Sequence, residues 1–400
     1  MQKRQERIET CAALMREFAR RTGLTSEGPA TRYLWTDAFA VCNLIALGRL
    51  VTGSQHHDLA RRLIDEVHAT LGRHRADDPR TGWLSELDDE TARQHPTRAG
   101  LRIGKPLPER KPDEPVDESL EWERDGQYFH YLTKWMHVLD KASSALDEVK
   151  YLLWAAELAE TAAGAFVYTD RAGRPAMFWK MSIDLARPLM PSMGQHDPLD
   201  GYVTFRQIEA RVRNVVDKEA LFGHKGPPCL EGWLPRFAWM IRQHGLDTTD
   251  SLGLGGLLAD AARLYQVMPP GGSGDVALLM GMLRAASAGL ARWSRSGMLS
   301  EDAGRRLAFR ELGLAIGIQA VEWMKNKESD RAAPLRGGTL DEQLDVLGEY
   351  SGLGEQIVEF WLDPANQRPS SWGNHKSINE VMLATALVPE GFLVLKDLER

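Results

Sequence analysis

Apolar positions recur at helical spacing along almost the whole chain, and the two-residue alternation of half-buried strands is nearly absent. Residues 3–21 put Ile8, Cys11, Leu14, Met15 and Phe18 on one side of a helix. Residues 33–52 form a second, more apolar one. Residues 55–74 carry Leu59, Leu63, Val67 and Leu71 at i+4 spacing among charges, the pattern of an outer helix. In 127–142, Phe129, Leu132, Met136 and Leu139 share one face, while Tyr128, Tyr131, Trp135 and Val138 make a second stripe. A helix apolar on two faces is buried. Further helices are predicted over 145–168, 202–214, 232–243, 252–265, 275–297, 301–326, 339–362 and 377–386. Residues 169–180 read as a turn or short hairpin at 172–173. The glycines at 271, 272, 274, 337 and 338 are punctuation.

Outer and fully apolar helices alternate along the chain. Six helical hairpins account for residues 1–400 as a single all-α domain, and no sequence-level repeat is visible. One stretch breaks the pattern. Residues 75–124 hold Pro79, Pro96, Pro106, Pro108, Pro112 and Pro115, with Trp83, Leu84, Leu101 and Ile103 as anchors. A long loop inside a compact fold is usually functional or disordered. The anchors point to an ordered active-site flap between the third and fourth helices.

Composition narrows the function. The chain of 400 residues has a formal net charge of -7, which argues against a nucleic-acid partner, since that would favour a basic face. Three cysteines, an odd number without CxxC spacing, fit reduced thiols in a cytoplasmic protein. The first ten residues lack the apolar core of a signal peptide. The apolar runs at 40–47 and 277–282 are interrupted too soon to span a bilayer. Neither a membrane nor a cofactor is expected, and the pattern is silent on oligomeric state.

Candidate chemistry sits at helix mouths, where unpaired N–H groups and the positive dipole end gather. Trp35 and Asp37 head the second helix. Asp125 precedes Tyr128 and His130. His196, Asp197 and Asp200 stand before the helix predicted from 202. Trp372, His375 and Glu380 lie at the last one. The inference is that these mouths converge on one pocket. Cleaving a glycoside needs one carboxyl as acid and another as base or nucleophile, ~5 Å apart for retention or ~6.5–9.5 Å for inversion. Asp125, Asp197, Asp200 and Asp37 are the candidates, although aspartate is also favoured at caps and turns. Asp200-Gly201 is a turn signal. Histidine chemistry next to a carbonyl needs a base, for which His196 and His375 are placed. His130 and His137 are ~10.5 Å apart along a helix and cannot share a metal ion. His137 reads as a core histidine bonded to a neighbour. No HExxH or paired Cys/His spacing is present, so no metal is expected. Gly253, Gly255 and Gly256 do not match a dinucleotide loop and instead permit close helix packing or a tight entry turn. On the flap, Arg102 and Lys105 are set among apolar residues and suit an anionic group.

RYLWTDAFA (32–40), GWL (82–84), HDPLDGYVTF (196–205) and WGNHKSINEVML (372–383) give the chain a layout that resembles the six-hairpin (α/α)6 barrels. It is similar to the six-hairpin glycosidases and to the N-acylglucosamine 2-epimerase-like enzymes. The resemblance implies an (α/α)6 toroid with its site where loops lead into the inner helices, and a carbohydrate substrate. The leading expectation is a glycoside hydrolase. Asp197 or Asp200 pairs with Asp125 in it, Asp37 is an alternate, and Trp35, Tyr128, His130, Trp372, His375 and Glu380 shape the sugar site. A cofactor-free sugar epimerase or isomerase is the alternative, with His196 and His375 moving the proton and Arg32 or Arg102 holding the open-chain oxygen. A sugar-binding protein without turnover is the third.

Overall fold

The helix Phe129–Leu146 organises its surroundings. It starts where Tyr128 leaves an extended conformation and stops at Asp147, whose left-handed backbone returns an N–H to the Ser143 carbonyl. Aspartate is among the few non-glycine residues that tolerate that conformation. Phe129, Leu132, Trp135, Met136, Val138 and Leu139 are all fully buried. Each side chain of this size contributes about 1.5–3 kcal/mol by leaving water.

The computed structural model describes residues 2–53, 55–224, 226–268, 273–329 and 339–395. Among them are eighteen α-helices, five no longer than six residues, and five strands of two or three residues. The glycines predicted as punctuation at 271, 272, 337 and 338 lie outside the described residues. The helix predicted over 301–326 begins only at Ala308, and 339–362 divides into Thr339–Gly348 and Ser351–Leu362. The hairpin near 172–173 is present, with Val167–Thr169 paired antiparallel to Pro175–Met177.

The chain forms two compact units. One comprises residues 1–19, 42–54 and 245–400, the other residues 20–41 and 55–244. In the first unit, helices Ser251–Val267 and Ala308–Ser329 touch backbone to backbone. A Cβ on Gly255 would stand 2.1 Å from the Gly313 carbonyl oxygen, and one on Gly317 would stand 2.6 Å from the Gly255 Cα. The close packing read from the glycines holds for Gly255, whereas a Cβ on Gly256 would meet open space and Gly253 faces Thr248 and Asp250 at the helix entry. Gly274–Trp293 in this unit corrects the reading that no stretch can span a bilayer: by length and composition alone it is able to, and half of it is buried in the fold.

In the second unit, Phe129–Leu146 packs against Lys150–Phe166 and Asp197–Arg213. The last of these begins at Asp197, five residues before the predicted start, with proline in its first turn. Asp200-Gly201 is thus helical and not a turn. Gly201 is needed for proximity, since a Cβ there would lie 2.8 Å from the Phe237 ring and 3.1 Å from Phe129.

The proline-rich segment is held by buried charge. Asp125 is fully buried and accepts from Arg102 at 2.5 Å, from Arg75 at 3.4 Å and from the N–H groups of Gly104 and Gly126 at 3.0 Å. Trp83, Leu84, Leu101 and Ile103 are buried as anchors. A three-stranded sheet that the sequence did not reveal joins Gln127–Tyr128 to Lys180–Met181 and on to Pro188–Met190.

Candidate functional site

Helices Phe129–Leu146 and Asp197–Arg213 are joined by a ladder of polar pairs. His130 Nδ1 faces Asp197 Oδ1 at 3.5 Å, and Lys134 Nζ donates to Asp200 at 2.8 Å. Deeper, His137 Nδ1 meets Gln207 at 3.0 Å, Gln207 donates to Asp140 at 2.5 Å, and Arg211 donates to Asp140 at 3.0 Å. Rising numbers pair with rising numbers, so the two helices run parallel and start at the same end. His137 is the neighbour-bonded core histidine that the spacing predicted.

The ladder changes character along its length. At the inner rungs the polar groups meet at hydrogen-bond distance, as buried polar groups normally do. At the outermost rung, Asp197 Oδ2 and His130 Nδ1 are buried without a hydrogen-bond partner in the protein. Nearby, the Tyr128 hydroxyl and the Trp35 indole N–H are in the same condition. An unsatisfied buried group costs about 1–3 kcal/mol. Three of them around an imidazole whose own Nδ1 is a fourth need a common reason, and a polar ligand is one.

Aromatic rings surround that imidazole. Tyr128 stacks on His130 at 5.3 Å and 24°, Trp179 lies nearly parallel to it at 6.5 Å, and Tyr131 and Trp35 meet it edge-on at 4.9 and 6.3 Å. The Tyr33 and Tyr131 hydroxyls are 2.6 Å apart. Burial pushes the Tyr33 phenol up to about 12, and raises those of Tyr131 and Tyr128 further. All three remain neutral donors at ordinary pH. Gly194 closes over the carboxylate: a Cβ there would be 2.5 Å from Asp197 Cγ.

Several expected site residues are committed elsewhere, and these are corrections. Asp125 is the anchor of the 100–126 segment, with both oxygens occupied. Arg102 is spent on Asp125 and on the carbonyls of Arg73 and Thr70. Asp37 is 1 % exposed, bound by Arg32 at 3.3 Å and by the Tyr33 N–H at 2.9 Å. Burial pushes its carboxyl up to about 7 against the pull of Arg32. Arg32 also holds the Thr22 carbonyl at 2.5 Å and Glu66 at 3.3 Å. These four fix loops and are not open to substrate. His196 is the residue preceding the helix that carries Asp197.

Trp372, His375 and Glu380 belong to the first unit. There Trp372 is buried against Trp361 at 5.7 Å, His375 lies beside Phe309 at 5.5 Å, and Glu380 is 3.7 Å from Lys376. Two cavities among the described residues, of about 440 Å³ near Arg292 and Arg310 and about 470 Å³ near Glu86 and Arg98, contain none of the candidate site residues. Among the described residues no three His, Cys, Asp or Glu side chains are grouped to hold a metal ion.

Sequence reasoning missed Lys134 and Trp179. A lysine one turn after His130, between the two apolar stripes of a buried helix, was the available signal for the first. Trp179 adjoins a two-residue strand too short to show a period.

No family model matches the chain, and no curated protein matches it either. Among solved structures it is similar to a GH76 alpha-mannanase from Bacteroides thetaiotaomicron, a selenomethionine derivative. The TM-score is 0.50 at 11 % identity, over 90 % of this chain and 86 % of that one. At such identity the likeness speaks to fold alone: the described residues are predominantly helical with a few short strands, in keeping with the all-α fold of that neighbour.

Proposed function

We propose that the protein is a carbohydrate-active enzyme, a glycoside hydrolase whose carboxyl pair is Asp197 and Asp200. The observation that carries this reading is the open oxygen of Asp197, buried beside His130 among aromatic rings. Aromatic faces suit the apolar faces of sugars, and the unpartnered Tyr128 and Trp35 groups suit sugar hydroxyls. Asp197 and Asp200 are three residues apart on one helix, which puts their Cβ atoms about 5–6 Å apart. A retaining reaction would need their carboxyl groups to stand about 5 Å apart across the sugar. In such a reaction one carboxyl protonates the leaving oxygen while the other attacks the anomeric carbon, and water then releases the sugar. Lys134 fixes Asp200 and steadies its charge.

The test is release of reducing sugar from α-mannan, starch, xylan and cellulose fragments, with α-mannan first because the solved neighbour is named for it. Asp197→Asn is expected to retain fold and sugar binding and to lose turnover by at least about 10³-fold, the order of a removed acid or base. Full activity of Asp197→Asn would reject the assignment.

A second reading is favoured by the same His130–Asp197 contact. A histidine steered by a carboxylate is a proton shuttle suited to sugar epimerisation or isomerisation. Deuterium entering C2 of a free aldose in heavy water, without bond cleavage, would select it over the hydrolase.

A further inference from the structure

Beyond the rung of His130 and Asp197 the aromatic surface continues outward. Trp179 contacts Tyr128 at 4.7 Å, and Trp122 meets Trp179 edge-on at 4.7 Å. Trp122 is 56 % exposed and is the one aromatic among the exposed large hydrophobic side chains of the described residues. A single exposed ring is ordinary by itself; this one continues a run of rings that leads to His130.

Its backbone is rigidly mounted. Lys180, fully buried, donates to the carbonyls of Glu121 at 2.6 Å and Arg124 at 2.8 Å, on either side of Trp122. Arg110 holds the Glu121 carboxylate at 2.6 Å. A ring presented on a fixed backbone loses little freedom on binding, which is how preorganisation favours affinity.

We propose that Trp122 and Trp179 form an outer subsite that takes the sugar ring next to the one held at His130, so that the protein acts on carbohydrate chains rather than single sugars. The inference rests on the carbohydrate reading above and adds substrate length to it. The rings run without a break from the exposed Trp122 to the imidazole, a path on the order of a disaccharide in length. Trp122 touches none of the proposed reacting groups, so it acts on binding alone.

The experiment compares the wild type with Trp122→Ala and Trp122→Phe on an α-mannose disaccharide, longer α-mannose oligosaccharides and intact α-mannan. KM is followed by reducing-end release and Kd by tryptophan fluorescence. The expected result is a KM and Kd for long chains raised about two- to tenfold in Trp122→Ala, the value of one aromatic contact. The disaccharide, whose second ring reaches this subsite, shows the same rise, and Trp122→Phe recovers most of the loss. Long chains bound equally well by Trp122→Ala and wild type would overturn the outer subsite and leave the hydrolase reading standing. Failure of the wild type to bind any of these probes would overturn both.

Discussion

His130 Nδ1 and Asp197 Oδ1 stand 3.5 Å apart at the shared start of two parallel helices, and neither His130 Nδ1 nor the other Asp197 oxygen has a hydrogen-bond partner in the protein. One turn further in, Lys134 and Asp200 are joined at 2.8 Å. The inner rung is closed by an ion pair, whereas the outer rung keeps polar atoms without a hydrogen-bond partner in the protein.

Lys134→Met should be among the more damaging single changes in the second unit. It removes the ammonium that meets the nearly buried Asp200 carboxylate, and breaking such a pair costs about 3–5 kcal/mol. Adding Asp200→Leu to Lys134→Met should restore much of the loss, because a packed apolar pair often matches an ion pair. Urea denaturation of the two variants checks this.

Gly201→Ala should destabilise by about 1–3 kcal/mol through overpacking against Phe237 and Phe129. Combining it with Phe237→Leu, which removes the ring the new methyl meets, should recover part of the loss. A thermal shift of Gly201→Ala within error of the wild type would show that the two helices can part freely.

Gly194→Ala tests the carboxylate itself. The new methyl would meet Asp197 at 2.5 Å, so the flexible carboxylate must turn away. Turnover should fall by at least about tenfold, as expected when a reacting group is misplaced by a fraction of an ångström, while stability changes by less than about 1 kcal/mol. A large loss of stability with unchanged kcat would contradict it.

His68 should make the fold sensitive to acid. Burial lowers its imidazole to about 3, with Lys150 adding to the effect. Its Nε2 accepts from the Trp135 indole at 3.0 Å, which requires the neutral ring. Above pH 6.5 the residue is neutral folded and unfolded, and the stabilisation is complete. Between 6.5 and 3 only the unfolded chain takes the proton, so stability falls as pH falls, by up to about 1.4 kcal/mol per unit from this group. His68→Gln should flatten that slope in urea titrations across the window.

The helices were legible because burial imposes a period. The stripe of Phe129, Leu132, Met136 and Leu139 located the central helix to within two residues at its start. The site was legible in part. His130 and Asp197 were both singled out, since a polar residue at the mouth of an apolar helix is conspicuous, but their pairing was not. A helix mouth says nothing about which other mouth lies beside it; that depends on a close approach such as the one Gly201 allows. Asp125 misled for the same reason. An aspartate beside aromatic residues looks alike whether it faces a ligand or Arg102, and only the fold brings Arg102 and Arg75 to it. Asp200-Gly201 suggested a turn because glycine serves both turns and tight packing.

Since the inner rungs already set the register of the two helices, the outermost one is spare as far as folding is concerned. Exchanging His130 and Asp197 together for inert residues should leave an intact, catalytically silent receptacle. A different acid–base pair, designed for another bond, could then be installed at the same address without rebuilding the scaffold beneath it.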